Sequence, residues 1–203
     1  MVPRKIIFAS FNKNKVKEVQ KMLNMEDITL LSLSDFRSQD IPEAIENGDS
    51  FKENALIKAR HYYNILNLPV ISDDSGLVVP VLDNAPGIYS ARYAGPDATD
   101  EKNNELLLEK LKSFTLNKRK AYFVAVVAYK DAATEKTFTG RCDGTITHQA
   151  RGDFGFGYDP LFFVPSLNKT YAQLSIQEKS KISHRGMAIK ALKTFLKKAK
   201  KTR

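Results

Sequence analysis

The sequence predicts an α/β fold built on a mixed β-sheet flanked by helices. In the first half, short apolar runs of strand length alternate with segments of helical periodicity, the order expected of an α/β architecture. In the middle, strand candidates follow one another with no helix between them, which argues for an antiparallel portion and hence a mixed sheet.

Each element has its own signal. Ile6-Ile7-Phe8-Ala9 is a short buried strand, and Asn14 to Leu23 is a helix with Val16, Val19, Met22 and Leu23 at helical spacing. Ile28 to Leu33 is a second strand. Ser50-Phe51-Lys52-Glu53 is a Ser-x-x-Glu capping box that opens a helix running to about Leu66, before Pro69. Val70-Ile71-Ser72 and Leu77-Val78-Val79 are short strands flanking a polar turn. Thr99 to Leu111 is helical, with Leu106, Leu107 and Leu111 on one side. Ala121 to Tyr129 is the longest strand candidate, and Thr137 to Thr147 pairs with it as further strands. Leu161 to Val164 is another buried strand, Ser175 to Glu178 is a second capping box, and Ile189, Leu192, Phe195, Leu196 and Ala199 stripe a final helix.

Composition bounds the function. A chain of 203 residues makes one sizeable domain, here taken as 1–203, or two closely packed lobes. A hydrophobic fraction of 42% and a charged fraction of 27% are those of a globular protein. No stretch approaches the ~18 consecutive apolar residues of a membrane helix. The N-terminus lacks the h-region and cleavage site of a signal peptide, and the single Cys142 excludes an intrachain disulfide, which favours the cytoplasm. Of the net charge of +9, seven Lys and Arg lie between Lys190 and Arg203, leaving +2 for residues 1–189. That basic tail reads as the solvated face of a terminal helix more readily than as a nucleic-acid site.

Four segments can carry chemistry. Ser10-Phe11-Asn12-Lys13-Asn14-Lys15 joins a strand to a helix, offering backbone N–H groups, side-chain donors and two cations to a phosphate. It has no Walker glycine loop and also fits an Asn N-cap with two solvated lysines. Ser72-Asp73-Asp74-Ser75-Gly76 displays two carboxylates at a strand end. Adjacent residues point to opposite faces, so one faces the site while the other supports the loop. Such oxygen ligands suit Mg²⁺, and the alternative is an Asx turn closing a hairpin. In Gly152 to Pro160, three glycines permit close approach to a ligand, and Phe154, Phe156 and Tyr158 can stack on a nucleobase. Asp159 can accept a hydrogen bond from a base edge, although a rigid loop packed by its own aromatics has the same composition. Glu178 to Gly186 places Lys179 to reach a phosphate, Ser183 to cap the last helix, and His184 and Arg185 in its first turn, where their donors suit purine O6. Alone, Glu46 is a loop acid and Lys58 a solvated charge on its helix.

Together these segments resemble the inosine triphosphate pyrophosphatase family, in its bacterial dITP/XTP pyrophosphatase branch. The matching pieces are Ala9 to Lys15, Ser50 to Ala55, Ser72 to Leu77, Ala85-Pro86-Gly87-Ile88-Tyr89-Ser90-Ala91-Arg92-Tyr93, Gly155 to Pro160 and Glu178 to Gly186. They occur in the family's order and span Ile6 to about Leu196. The resemblance implies an elongated mixed α/β fold with two lobes and a substrate cleft, a homodimer, and conversion of a nucleoside triphosphate to the monophosphate and pyrophosphate. It implies that Ser10, Phe11, Asn12, Lys13, Asn14 and Lys15 hold the triphosphate. It implies that Asp74 is the general base and a Mg²⁺ ligand with Glu46, and that Ser75 and Lys179 contact substrate. Phe156, Gly157, Tyr158 and Asp159 then hold base and sugar, while His184 and Arg185 read the base. Two positions depart from the family pattern: Phe154 stands where many members have Gly, and Phe11 where a small residue is common. The substrates implied are ITP, dITP and XTP, whose O6 acceptor distinguishes them from adenine nucleotides. The rivals are a pyrophosphatase for pyrimidine or modified nucleotides and a nucleic-acid module using the basic tail. The latter leaves Asp73, Asp74 and the Gly/aromatic loop unexplained.

Overall fold

The computed structural model describes residues 3–36 and 41–201. Its strands are β1 (Arg4–Ala9), β2 (Ile28–Ser32), β3 (Val70–Val78), β4 (Lys120–Lys130), β5 (Glu135–Ile146), β6 (Phe162–Val164) and β7 (Lys169–Thr170). They form one seven-stranded sheet in the order β2-β1-β3-β4-β5-β6-β7. Strand β1 pairs in parallel with β2 and β3, whereas β5 to β7 pair antiparallel, so the sheet is mixed as predicted. The helices are α1 (Lys13–Leu23), α2 (Phe51–Leu66), α3 (Asp100–Lys110), α4 (Ile176–Ile182) and α5 (His184–Lys201). Among the described residues no helix is long and apolar enough to cross a membrane.

The chain folds into two compact units. The first comprises the described residues of Met1–Asp74, Ala125–Gly140 and Arg185–Arg203, the second Ser75–Val124 and Arg141–His184. In the first unit the two-residue alternation of β1 feeds two cores. Ile6 and Phe8 pack with Val19 and Leu23 of α1 and with Ile189, Leu192 and Leu196 of α5. Ile7 and Ala9 pack with Ala55, Ala59 and Tyr62 of α2. A strand covered on both faces has no polar side to show, which is why Ile6-Ile7-Phe8-Ala9 is uninterruptedly apolar. The second unit has one core, in which Leu107 and Leu111 at the end of α3 meet Phe123, Ile146, Phe162 and Tyr171.

Helix starts follow the predicted chemistry. At α4, Ser175 Oγ accepts from Glu178 N–H at 3.2 Å and the Glu178 carboxylate accepts from Ser175 N–H at 2.8 Å, completing the capping box. At α2, Ser50 Oγ accepts from Glu53 N–H, but Glu53 reaches one residue further back, to Asp49 N–H.

The sequence reading fails at residues 72–76. The expected polar turn does not form, and β3 runs unbroken from Val70 to Val78. Two adjacent Asp residues disfavour a strand when considered locally. Here cations from other elements compensate them, so tertiary context overrides propensity. Residues 137–147, expected as further strands, lie almost wholly in the single long β5.

Candidate active site

The first unit gathers the acidic and basic groups of the Ser10 and Asp73 segments. Asn12 caps α1, its Oδ1 accepting from Asn14 N–H at 3.0 Å and Lys15 N–H at 3.1 Å. Ser10 Oγ accepts from Asn12 N–H. The capping alternative is thus realised: Ser10 and Asn12 hold the turn with their oxygens. Phe11, Lys13 and Asn14 are exposed, and the first turn of α1 carries no acid to offset Lys13. Lys15 is not a solvated charge. Its ammonium lies 2.9 Å from the Asp73 carboxylate.

Asp73 is fully buried in β3. The Arg185 guanidinium donates to it from Nε at 3.3 Å and from Nη2 at 3.2 Å, while Nη1 donates to Glu18 at 2.6 Å. All three nitrogens of Arg185 are therefore engaged by carboxylates, and its side chain is 2% exposed. Two cations and two carboxylates form a neutral buried cluster that ties α1 and the first turn of α5 to β3. Burial pushes the Asp73 carboxyl up, but Arg185 and Lys15 outweigh it and hold the group well below the usual carboxylate range.

Asp74, one residue on, is only partly buried. Burial pushes its carboxyl up to about 6 against the pull of Lys58 and Lys15, with Glu46 and Asp73 adding to the rise. Its Oδ2 is buried and has no hydrogen-bond partner among the described residues. Lys58 is not solvated either, since it pairs with Glu46 at 2.6 Å with its own side chain 12% exposed. Two further bonds position this corner. Ser72 Oγ donates to Ala55 C=O at 2.6 Å, fastening β3 to α2, and Gly48 N–H donates to Asn54 Oδ1 at 2.8 Å, fastening the Glu46 loop to the same helix.

The second unit carries the Gly/aromatic loop, with Ser75 partly buried in its share of β3. Asp159 Oδ2 accepts from Phe156 N–H at 3.0 Å and from Lys179 Nζ at 2.6 Å. Both members of this ion pair are buried, and Lys179 also lies over the Phe156 ring, 4.9 Å from its centroid. Gly155 has φ +80°, and a Cβ there would run into the Asp159 carboxylate, so this position requires glycine. Tyr158 is buried, its hydroxyl donating to Ser90 C=O at 2.9 Å. His184 stacks on Phe123 with centroids 4.7 Å apart and planes at 9°. Phe156 and Gly157 are the partly accessible members of the expected base-holding set, and Phe154 is exposed.

The structure thus brings Asp74, Glu46 and Lys15 together in one unit, and Phe156 to Asp159 with Lys179 and His184 in the other. His184 and Arg185, adjacent in sequence, belong to different units. Three charged residues of the first unit differ from their sequence expectation. Glu18 has no role in any motif segment, yet it stands three residues after Lys15, on the same face of α1. Asp73, one of two carboxylates expected to divide between site and loop, instead anchors the buried cluster. Lys58, expected as a solvated charge, sits within the inward stripe of Ala55, Ala59 and Tyr62. Removing one charge from the buried cluster leaves the others uncompensated. Asp73→Met is expected to lower unfolding stability by about 3–5 kcal/mol in urea titration, and a loss below about 1 kcal/mol would contradict the cluster's role.

Comparison with known proteins identifies the family. Residues 6–195 match the Ham1 family. The dITP/XTP pyrophosphatase of Desulfotalea psychrophila is 47% identical over 194 residues, covering 95% of this chain and 85% of that one. That of Escherichia coli K12 is 46% identical over 192 residues, covering 93% and 96%. Among solved structures, the Staphylococcus aureus Ham1 protein superposes with a TM-score of 0.86 at 41% identity, covering 97% of this chain and 100% of its own. The Mycobacterium abscessus nucleoside-triphosphatase, or dITP/XTP pyrophosphatase, gives 0.74 at 39%, covering 93% and 98%. With its motifs, its fold and nearly its full length in agreement, the chain belongs to the Ham1 family.

Proposed function

We propose that this chain is a nucleoside triphosphate pyrophosphatase that hydrolyses deaminated purine nucleotides (ITP, dITP and XTP) to the monophosphate and pyrophosphate. One observation carries the reading. Asp74 is a partly buried carboxylate pushed up to about 6 by burial, with an oxygen lacking a hydrogen-bond partner among the described residues, in a chain about half identical to proteins named dITP/XTP pyrophosphatases. A general base works best with a pKa near the operating pH.

The residues present fit Mg²⁺. Among the described residues no three His, Cys, Asp or Glu gather into a ready-made metal cage. Mg²⁺ does not need one, since it is commonly held by one or two carboxylates together with substrate phosphates and water. Asp74, through its unengaged Oδ2, and Glu46 are the residues that would hold it. When bound, the ion would supply charge neutralisation to the phosphates.

In this reading Asp74 takes the proton of a water attacking the α-phosphorus, and the α–β anhydride bond breaks to release pyrophosphate. Lys13, exposed on the acid-free first turn of α1, serves the phosphates, with Phe11 and Asn14 beside it. Ser10, Asn12 and Lys15 shape that turn from behind. Lys58 sets the charge balance of Asp74 and Glu46, and Ser75 continues β3 toward the substrate. In the second unit Phe156 and Gly157 offer a surface to the base, and Tyr158, Asp159 and Lys179 hold that surface in shape. Arg185, engaged by Asp73 and Glu18, is assigned to anchoring β3, which leaves His184 for reading the purine. A donor there is satisfied by O6 of hypoxanthine or xanthine and opposed by the N6 amino group of adenine. A homodimer working on the cytoplasmic nucleotide pool completes the proposal.

Pyrophosphate release from ITP, XTP, GTP and ATP, with and without Mg²⁺, tests the substrate class. Fast metal-dependent release from ITP and XTP with little from ATP and GTP is expected, and equal rates on all four would overturn it. Asp74→Asn should cost at least about a hundredfold in kcat. Near-normal turnover would remove Asp74 from the role of base.

A further inference from the structure

Helix α3 lies outside every motif segment assigned a role above, yet it grips the base loop. Gly157 N–H donates to Asp100 Oδ2 at 2.6 Å, and Gly157 C=O accepts from Asn104 Nδ2 at 2.9 Å. Asp100 and Asn104 are four residues apart and share one face of α3. Both backbone polar groups of one glycine are therefore taken by one helix. Gly157 has φ +61° and meets nothing else on its Cβ side, so no packing fixes its position there. The helix itself is braced: Asn103 Oδ1 accepts from Ala94 N–H at 2.8 Å, and Asn103 Nδ2 donates to Ala91 C=O at 3.3 Å. The stretch so held continues from Ser90, whose carbonyl receives the Tyr158 hydroxyl. Asn104 also keeps a costly feature. Its Oδ1 is buried with no hydrogen-bond partner among the described residues, an arrangement that packing alone gives no reason to retain.

We propose that α3 is a specificity-determining element, with Asp100 and Asn104 as positioning residues that fix the two peptides flanking Gly157 and so decide which purine the loop accepts. The proposal rests on the reading that this loop holds the base. Neither residue needs to touch substrate. They act by preorganisation, since a loop already fixed in its binding conformation spends less of the base's binding energy on ordering.

Asn104→Leu separates this role from a merely structural one. It removes the donor to Gly157 and also removes the buried unsatisfied oxygen, so the melting temperature should not fall. KM for ITP is expected to rise about five- to tenfold with a smaller change in kcat, and the ITP/ATP ratio of kcat/KM to fall. Asp100→Ala should do the same, and Asp100→Asn, which keeps an acceptor oxygen, should restore most of the loss. Unchanged KM and ITP/ATP ratio in folded Asn104→Leu and Asp100→Ala would overturn the proposal. Phe156→Ala identifies what has failed. If it raises KM while the α3 variants do not, the grip of α3 is irrelevant. If it too is silent, the loop does not hold the base, and the proposal falls with that reading.

Discussion

A carboxylate buried in the middle of a β-strand is the constraint on which the first unit depends. Asp73 has no water to solvate it, and an isolated charge there would be prohibitive. Lys15 and the two-pronged guanidinium of Arg185 make it tolerable, and Glu18 balances the surplus positive charge. The consequences are geometric. Strand β3 continues where its sequence suggests a turn, and α1 and α5 are both drawn to it. The next residue, Asp74, is turned to the opposite face of a strand that cannot shift without breaking the cluster.

Two neighbouring carboxylates thereby acquire different chemistry. Asp73 is locked in its ionised form by direct cation contacts. Asp74 is partly buried, with Lys58 and Lys15 near enough to temper its pKa but with Lys58 engaged by Glu46 and Lys15 by Asp73. Their environments push the paired acids apart, one held ionised by its cations and the other raised toward neutrality by burial. The second unit uses the same device for another end. The buried Asp159–Lys179 pair organises a loop, and Gly155 supplies the room its carboxylate needs.

Much of this was legible in the sequence. The uninterrupted apolar run of β1 signalled a strand covered on both faces, and Ser175 with Glu178 marked a helix start that forms as read. The six ordered segments carried the family. What escaped was long-range pairing. Lys58 and Lys15 look like solvated lysines because the acids that claim them, Glu46 and Asp73, come from other elements. Asp73 and Asp74 look like a turn because the cation that straightens the strand, Arg185, stands 112 residues later. Local propensity cannot register partners that only the fold brings together. Arg185 shows the same limit from the other side, since nothing near it in sequence announces that Asp73 and Glu18 hold its guanidinium.

Asp74 is poised by burial and tempered by Lys58, and its titration in metal-free protein measures this directly. With a ¹³C label at the aspartate carboxyl carbon, the Asp74 resonance should titrate with a midpoint near 6, ionised above and protonated below. In Lys58→Met the loss of a nearby cation should move that midpoint upward, so that activity requiring ionised Asp74 is lost at a higher pH as the solution is acidified. A midpoint in the ordinary range of exposed aspartates, unmoved by Lys58→Met, would contradict the account.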